Sequence, residues 1–174
     1  AWGLFMEKLQ ELEATCPYAT VGLDSISTMA KCCIRDVLRV DNKAEETLQE
    51  WGRIINRLQD LFARLRQLQQ KGVHVVVTAH EQYIQDELDG ALYRRPLIVG
   101  KKLPGELMQY FDEVYHSEIK ETVDPKTGKK GKKYIIRTRS TNRLSAKSRL
   151  GVLEDEEEPD FAVITERIKK GERK

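Results

Sequence analysis

Asp24 and Ser25 close the short stretch "YATVGL" at residues 18–23. An aspartate at the carboxyl end of a buried parallel strand stands at the edge where open α/β sheets place their ligands. A carboxylate there can hold Mg²⁺ through water, because Mg²⁺ keeps much of its hydration shell. Ser25 would stand beside it. A strand-ending turn aspartate accounts for the same residues, and Gly22 interrupts the apolar run. A second polar ending follows, where "VHVVVTAHE" at 73–81 carries β-branched residues into Thr78 and His80. A histidine on that edge can hydrogen-bond a terminal phosphate; taken alone, a satisfied strand-end histidine is the plainer reading. Lys147 and Arg149 form the third piece. They lie two apart, so in a strand they point the same way, and two fixed cations on one face suit a phosphate. A solvated basic edge is the alternative, since residues 126–149 hold ten Lys or Arg and no acid.

Positioning these groups requires strands held by helices. Leu4, Phe5, Leu9 and Leu12 recur at helical spacing over residues 2–14, and Pro17 stops that helix. Residues 19–23 read as a short buried strand. Residues 25–46 are mixed in pattern and predict a short helix followed by a loop. Residues 47–71 are the clearest element. Leu48, Trp51, Ile54, Ile55, Leu58, Leu61, Phe62, Leu65 and Leu68 fall at steps of three and four, which makes a long amphipathic helix closed by Gly72. The run 73–79 predicts a strand buried on both faces. A long helix feeding such a strand predicts an α/β layer with a parallel sheet. Residues 82–100 read as a long loop, and long loops in compact domains often carry function. A short helix is expected over 102–111, a strand over 112–120, a Pro- and Gly-punctuated turn, a returning strand over 134–139, and another ending near Lys147. Residues 161–168 fit a last strand or a short helix.

In this order the pieces resemble the RecA-like branch of P-loop ATPases, and in particular phage-encoded RecA-like ATP-binding proteins. The resemblance spans residues 18 to 168 and rests on "LDSIS", "TAHE", "VGKKLPGELMQYFDEV" and "SAKSRLG". It implies a RecA-like P-loop core, incomplete here, with a mostly parallel central sheet, helices on both faces and a β-hairpin extension. It implies that Asp24 is the Walker B residue for ATP-bound Mg²⁺, with Ser25 beside the cofactor. It makes His80 the sensor, and Lys147 and Arg149 a Lys-x-Arg finger that reaches the nucleotide of a neighbouring subunit in a ring or filament. A fixed cation in that place stabilises charge on the transferring phosphate. It places Tyr83, Tyr93, Arg94, Arg95, Lys101 and Lys102 in a DNA-facing region, where the cations contact phosphates and the tyrosines stack on bases of single-stranded DNA. The expected role is ATP-dependent phage recombination or single-strand annealing. A helicase or motor subunit of the same class and a non-catalytic DNA- or protein-binding module are the alternatives.

The phosphate loop Gly-x-x-x-x-Gly-Lys-Ser/Thr is the departure. Gly100-Lys101 is followed by Lys102 with Arg95 five before the glycine, and Gly128-Lys129 by Lys130 with Val123 five before, so neither can serve. In the family that loop and the catalytic glutamate precede the Walker B strand. The chain begins without methionine inside a helical pattern. The expectation is therefore a single RecA-like domain over 1–170 lacking its amino-terminal half, with a basic tail at 171–174, and no ATP hydrolysis by these residues alone.

Bulk properties are compatible with this. Among 174 residues 40% are hydrophobic and 33% charged, with a net charge of +2, a globular composition in which distribution matters more than total charge. Cys16, Cys32 and Cys33 are odd in number and include an adjacent pair, which argues against a disulfide framework and for a reducing cytoplasm, the host's if the protein is phage-encoded. The histidines and cysteines lack zinc spacing. No stretch approaches the roughly 18 apolar residues of a membrane span, and the acids in the first helix do not suit a signal peptide. "KTGKKGKK" at 126–133 reads as a solvated hairpin tip or a grip on a nucleic-acid backbone. "EDEEE" at 154–158 reads as a solvated linker or an acidic contact.

Overall fold

The computed structural model describes residues 1–85, 90–100 and 103–171. These fall into two compact units, Ala1–Gln82 with Pro96–Tyr110, and Tyr83–Arg95 with Phe111–Lys174.

The first unit is built on three helices and a pair of parallel strands. Helix α1 (Trp2–Ala14) buries Trp2 and Leu9. Strand β1 (Thr20–Leu23) leads into α2 (Ile26–Asp41), whose amino terminus is capped by Ser25: its hydroxyl accepts from the Thr28 amide at 3.3 Å. Such a cap satisfies one of the otherwise unpaired first-turn amides. Helix α2 runs to a left-handed Asn42 at φ 51°. It is thus a full 16-residue helix where the sequence predicts a short one and a loop. The buried positions Ile26, Ala30, Cys33 and Val37 explain it, since they repeat at helical spacing through a polar-looking segment.

Helix α3 (Leu48–Gln70) places Ile54, Leu58, Leu61, Phe62, Leu65 and Leu68 in the core. Its first turn is locked by Glu50, 1% exposed. That carboxylate accepts from the Thr47 amide at 3.0 Å and from Lys43 Nζ at 2.8 Å. A buried charge requires such partners, and they hold the Glu50 pKa down to about 2, with Lys43 the leading cause. Arg64 grips Glu13 of α1 through two bonds of 2.7 Å. Gly72, at φ +84°, turns the chain out of α3 in a conformation that favours glycine.

Strand β2 (His74–Val77) pairs in parallel with β1. The α2–α3 connection supplies the crossover that parallel pairing needs. Contrary to the expectation of a strand buried on both faces, β2 alternates between exposed and half-buried residues, with Val76 46% exposed. Among the described residues its ladder partner is β1 alone, so its β-branched side chains lack a neighbouring strand on one side. Farther along, α4 (Leu103–Glu106) and a 3₁₀ turn (Leu107–Tyr110) bury Leu103 and Leu107. Tyr110 packs on Phe62 at 5.1 Å between ring centroids.

The segment read as a long loop contains strands β3 (Glu81–Gln85) and β4 (Leu92–Pro96), which form a two-stranded sheet. Their polar composition hides them, because the apolar alternation that marks a half-buried strand is weak here.

In the second unit β6 (His116–Val123) and β7 (Lys130–Arg137) make an eight-residue antiparallel ladder, extended by β9 (Glu156–Glu157). The returning strand starts four residues earlier than the expected 134, because its Lys-rich beginning carries no strand pattern. Strands β5 (Glu113–Val114) and β8 (Lys147–Ser148) pair antiparallel. Helix α5 (Phe161–Lys170) starts at Asp160, which accepts from the amides of Ala162 and Val163. Its Ile164 packs with Ile136 and Leu153. The fold is mixed α/β, but its sheets are small and mostly antiparallel. A long parallel central sheet does not occur among the described residues: β1 and β2 pair in parallel, whereas β5–β8, β6–β7 and β7–β9 pair antiparallel.

Candidate functional site

The parallel register sets Leu23 opposite Val77, so the next residues, Asp24 and Thr78, emerge side by side. The Thr78 amide donates to Leu23 O at 3.0 Å and the Ile26 amide to Thr78 O at 2.9 Å. The Thr78 hydroxyl donates to Asp24 Oδ1 at 2.5 Å. Asp24 is exposed, and the Asp24–Ser25 peptide is cis. The carboxylate is therefore held by a neighbour, faces solvent and lies beside the amino terminus of α2, whose partial positive charge favours anions.

His80 sits three residues beyond β2. Ser27, 4% exposed, fixes this position. Its hydroxyl accepts from the His80 amide at 2.9 Å and donates to Leu97 O at 2.6 Å. The Leu97 amide donates to His80 O at 2.6 Å. The structure thus brings Asp24, Ser25 and His80 to one edge of β1–β2. It also adds a role for Thr78, which the sequence places at the strand end without one, and it adds Ser27, which sequence reasoning missed. Thr78 was legible by counting residues after each apolar run. Ser27 had no local signal, because its partners lie 53 and 70 residues away.

No cluster of three metal-ligating side chains occurs among the described residues. A lone solvent-facing carboxylate oriented by a hydroxyl suits a cation that retains its waters, as Mg²⁺ does, and not a tetrahedral metal needing several soft ligands. A family model described as an AAA domain matches residues 1–150. The chain belongs to this AAA-domain family, a family of P-loop nucleoside triphosphatases. The assignment makes it a nucleotide-binding domain of ATPase type, in a family that binds ATP with Mg²⁺. No curated protein and no solved structure matches it.

Within this AAA domain the remaining predicted residues lie in the second unit or outside the described residues. Lys147 is half-buried and donates to Phe111 O at 2.6 Å. Burial, then the neighbouring Arg149 charge, lowers its pKa. Arg149 is exposed beyond the short strand β8 and pairs with Asp112 at 2.8 Å. Tyr83 lies exposed on β3. Tyr93, Arg94 and Arg95 follow one another on β4, so Tyr93 and Arg95 share a face opposite Arg94. Arg94 is engaged by Glu118 at 3.4 Å. Arg95 has a buried Nε without a hydrogen-bond partner among the described residues. Lys101, Lys102 and residues 172–174 of the basic tail lie outside the described residues. No described helix is long and apolar enough to cross a membrane.

Proposed function

We propose that this AAA domain is the Mg²⁺-holding and phosphate-sensing part of a RecA-like ATPase that acts on single-stranded DNA, in phage recombination or strand annealing. The observation that carries this reading is the paired edge of β1 and β2. Two parallel strands deliver Asp24 and Thr78 to one point, and Ser27 holds the His80 backbone beside it. Asp24 would hold Mg²⁺ through water, and Thr78 fixes the carboxylate. His80 donates a hydrogen bond toward the terminal phosphate, and Ser25 keeps the first turn of α2 in place. Bound Mg²⁺ would supply charge neutralisation on the phosphates.

Residues outside these 174 supply the Gly-rich phosphate loop and the catalytic glutamate. The half-covered β2, with Val76 exposed, supports further strands beside this sheet. Lys147 and Arg149 act on the nucleotide of a neighbouring copy in a ring or filament, exchanging Phe111 and Asp112 for phosphate oxygens. The setting is cytoplasmic.

The test is DNA-stimulated ATP hydrolysis by the full-length protein. Asp24→Ala is expected to abolish it. Arg149→Ala is expected to cost roughly a thousandfold, the scale of an arginine finger. Full activity in Asp24→Ala would refute the site. A second reading, a binding module without hydrolysis, is favoured by the lack of a Gly-x-x-x-x-Gly-Lys motif in these residues. It predicts DNA binding unaffected by nucleotide.

A further inference from the structure

The β6–β7 ladder has two faces with different fates. The register pairs Ile119 with Tyr134, Glu121 with Lys132 and Val123 with Lys130, and directly opposed residues share a face. The other face carries Lys120 opposite Lys133. Those two lysines are neutralised by the chain's own acids: Lys120 pairs with Glu156 at 2.8 Å and Lys133 with Glu158 at 2.9 Å. Glu156 and Glu158 of the acidic run are therefore counter-charges for one face of the ladder. On the first face Tyr134 is 65% exposed, Val123 61% and Ile119 54%. Lys130 and Lys132 beside them are exposed, as are Lys126 and Lys129 in the turn. No salt bridge among the described residues engages these four. Two acids lie near them: Glu121, exposed and directly opposite Lys132 with no ion pair to it, and Asp124, which accepts from the amides of Lys126 and Thr127 and so shapes the turn.

We propose that this face, Ile119, Glu121, Val123, Lys130, Lys132 and Tyr134, on which with the turn four lysines outnumber the two carboxylates of Glu121 and Asp124, is a binding surface for single-stranded DNA. Its cations track the phosphates and the Tyr134 ring stacks on an unpaired base. Unpaired cations flanking an exposed ring and aliphatic carbons are what a strand with free bases requires. A duplex offers phosphates but no open base face. An acidic protein would match the lysines and leave Tyr134, Ile119 and Val123 without partners. The one hydroxyl side chain on this face, Ser117, stands opposite Ile136 at the end of the ladder away from Lys130 and Lys132, so the lysine-rich part of the ladder offers no hydroxyl or amide partner for a ribose 2′-hydroxyl, the group by which proteins tell RNA from DNA. This surface deepens the DNA part of the proposed function and requires neither ATP nor Asp24.

The experiment is fluorescence anisotropy of an oligothymidylate of about 20 nucleotides, long enough for several contacts, titrated with the protein over a range of salt without nucleotide. The double variant Lys130→Ala/Lys132→Ala is expected to weaken binding and to flatten the slope of log K against log salt by about 1.4, two phosphate contacts' worth. Tyr134→Ala is expected to weaken it roughly tenfold with the slope unchanged, and Tyr134→Phe to restore it. Lys120→Ala/Lys133→Ala, on the paired face, is expected to leave the slope as it is. Binding that ignores the Lys130/Lys132 and Tyr134 changes would overturn the surface while leaving DNA binding elsewhere on the protein intact. Absence of any binding would overturn both. Tighter binding of duplex, of oligouridylate, or equal competition by polyglutamate would reassign the face and so reject the proposal.

Discussion

Among the described residues Asp24 is held by one side-chain donor, the hydroxyl of Thr78, at 2.5 Å. Groups that orient a metal-binding carboxylate typically matter about 10- to 100-fold in metal affinity. Thr78→Val keeps the β-branched shape and removes the hydroxyl. The expected outcome is Mg²⁺-dependent nucleotide affinity about tenfold weaker, with the circular dichroism spectrum and melting temperature close to wild type because the position is exposed. An Mg²⁺ titration is the measurement, and unchanged affinity would remove Thr78 from the site. Ser27 works differently. It is buried and ties α2 to the chain on either side of the β3–β4 sheet, at His80 and Leu97, so its role is to position His80.

Elements decide which of these residues meet. Helix α3 was legible because nine apolar residues recur at helical steps, and apolar residues repeating with a period of 3.6 over that length mark one face of a helix. β1 and β2 were legible as apolar runs, and the placing of Asp24 and His80 beyond their ends followed from that. Strands β3 and β4 were not, because "EQYIQ" and "LYRRP" present polar residues on both faces. Nor was the sidedness of β6–β7, which depends on acids some 20 to 40 residues away along the chain and on a register that no local pattern states.

The start of α3 carries a pH prediction. The Glu50 pKa lies at about 2 in the folded state, below its ordinary 4.5. A depressed carboxylate contributes stability above the unfolded value that is lost as pH falls toward the folded one. Thermal melts of Glu50→Gln are expected to show a lower melting temperature than wild type above about pH 5, with the gap closing toward pH 2. A gap that stays constant across that range would show that Lys43 and Thr47 do not act through the Glu50 charge.

At the scale of the molecule, two compact units carry different parts of the chemistry. The first presents a carboxylate and a histidine at the edge of a parallel pair, and the second presents Lys147, Arg149 and a two-faced ladder. The family assignment covers residues 1–150 and therefore includes both sets. The role proposed for Asp24 can be measured directly. Mn²⁺ replaces Mg²⁺ at oxygen sites and broadens NMR signals of nearby amides. With Mn²⁺ and ATP added to the full-length protein, broadening is expected at Asp24, Ser25, Thr78 and His80, and is expected to vanish in Asp24→Asn. Broadening elsewhere, or broadening that survives Asp24→Asn, would contradict a metal-nucleotide site on the β1–β2 edge.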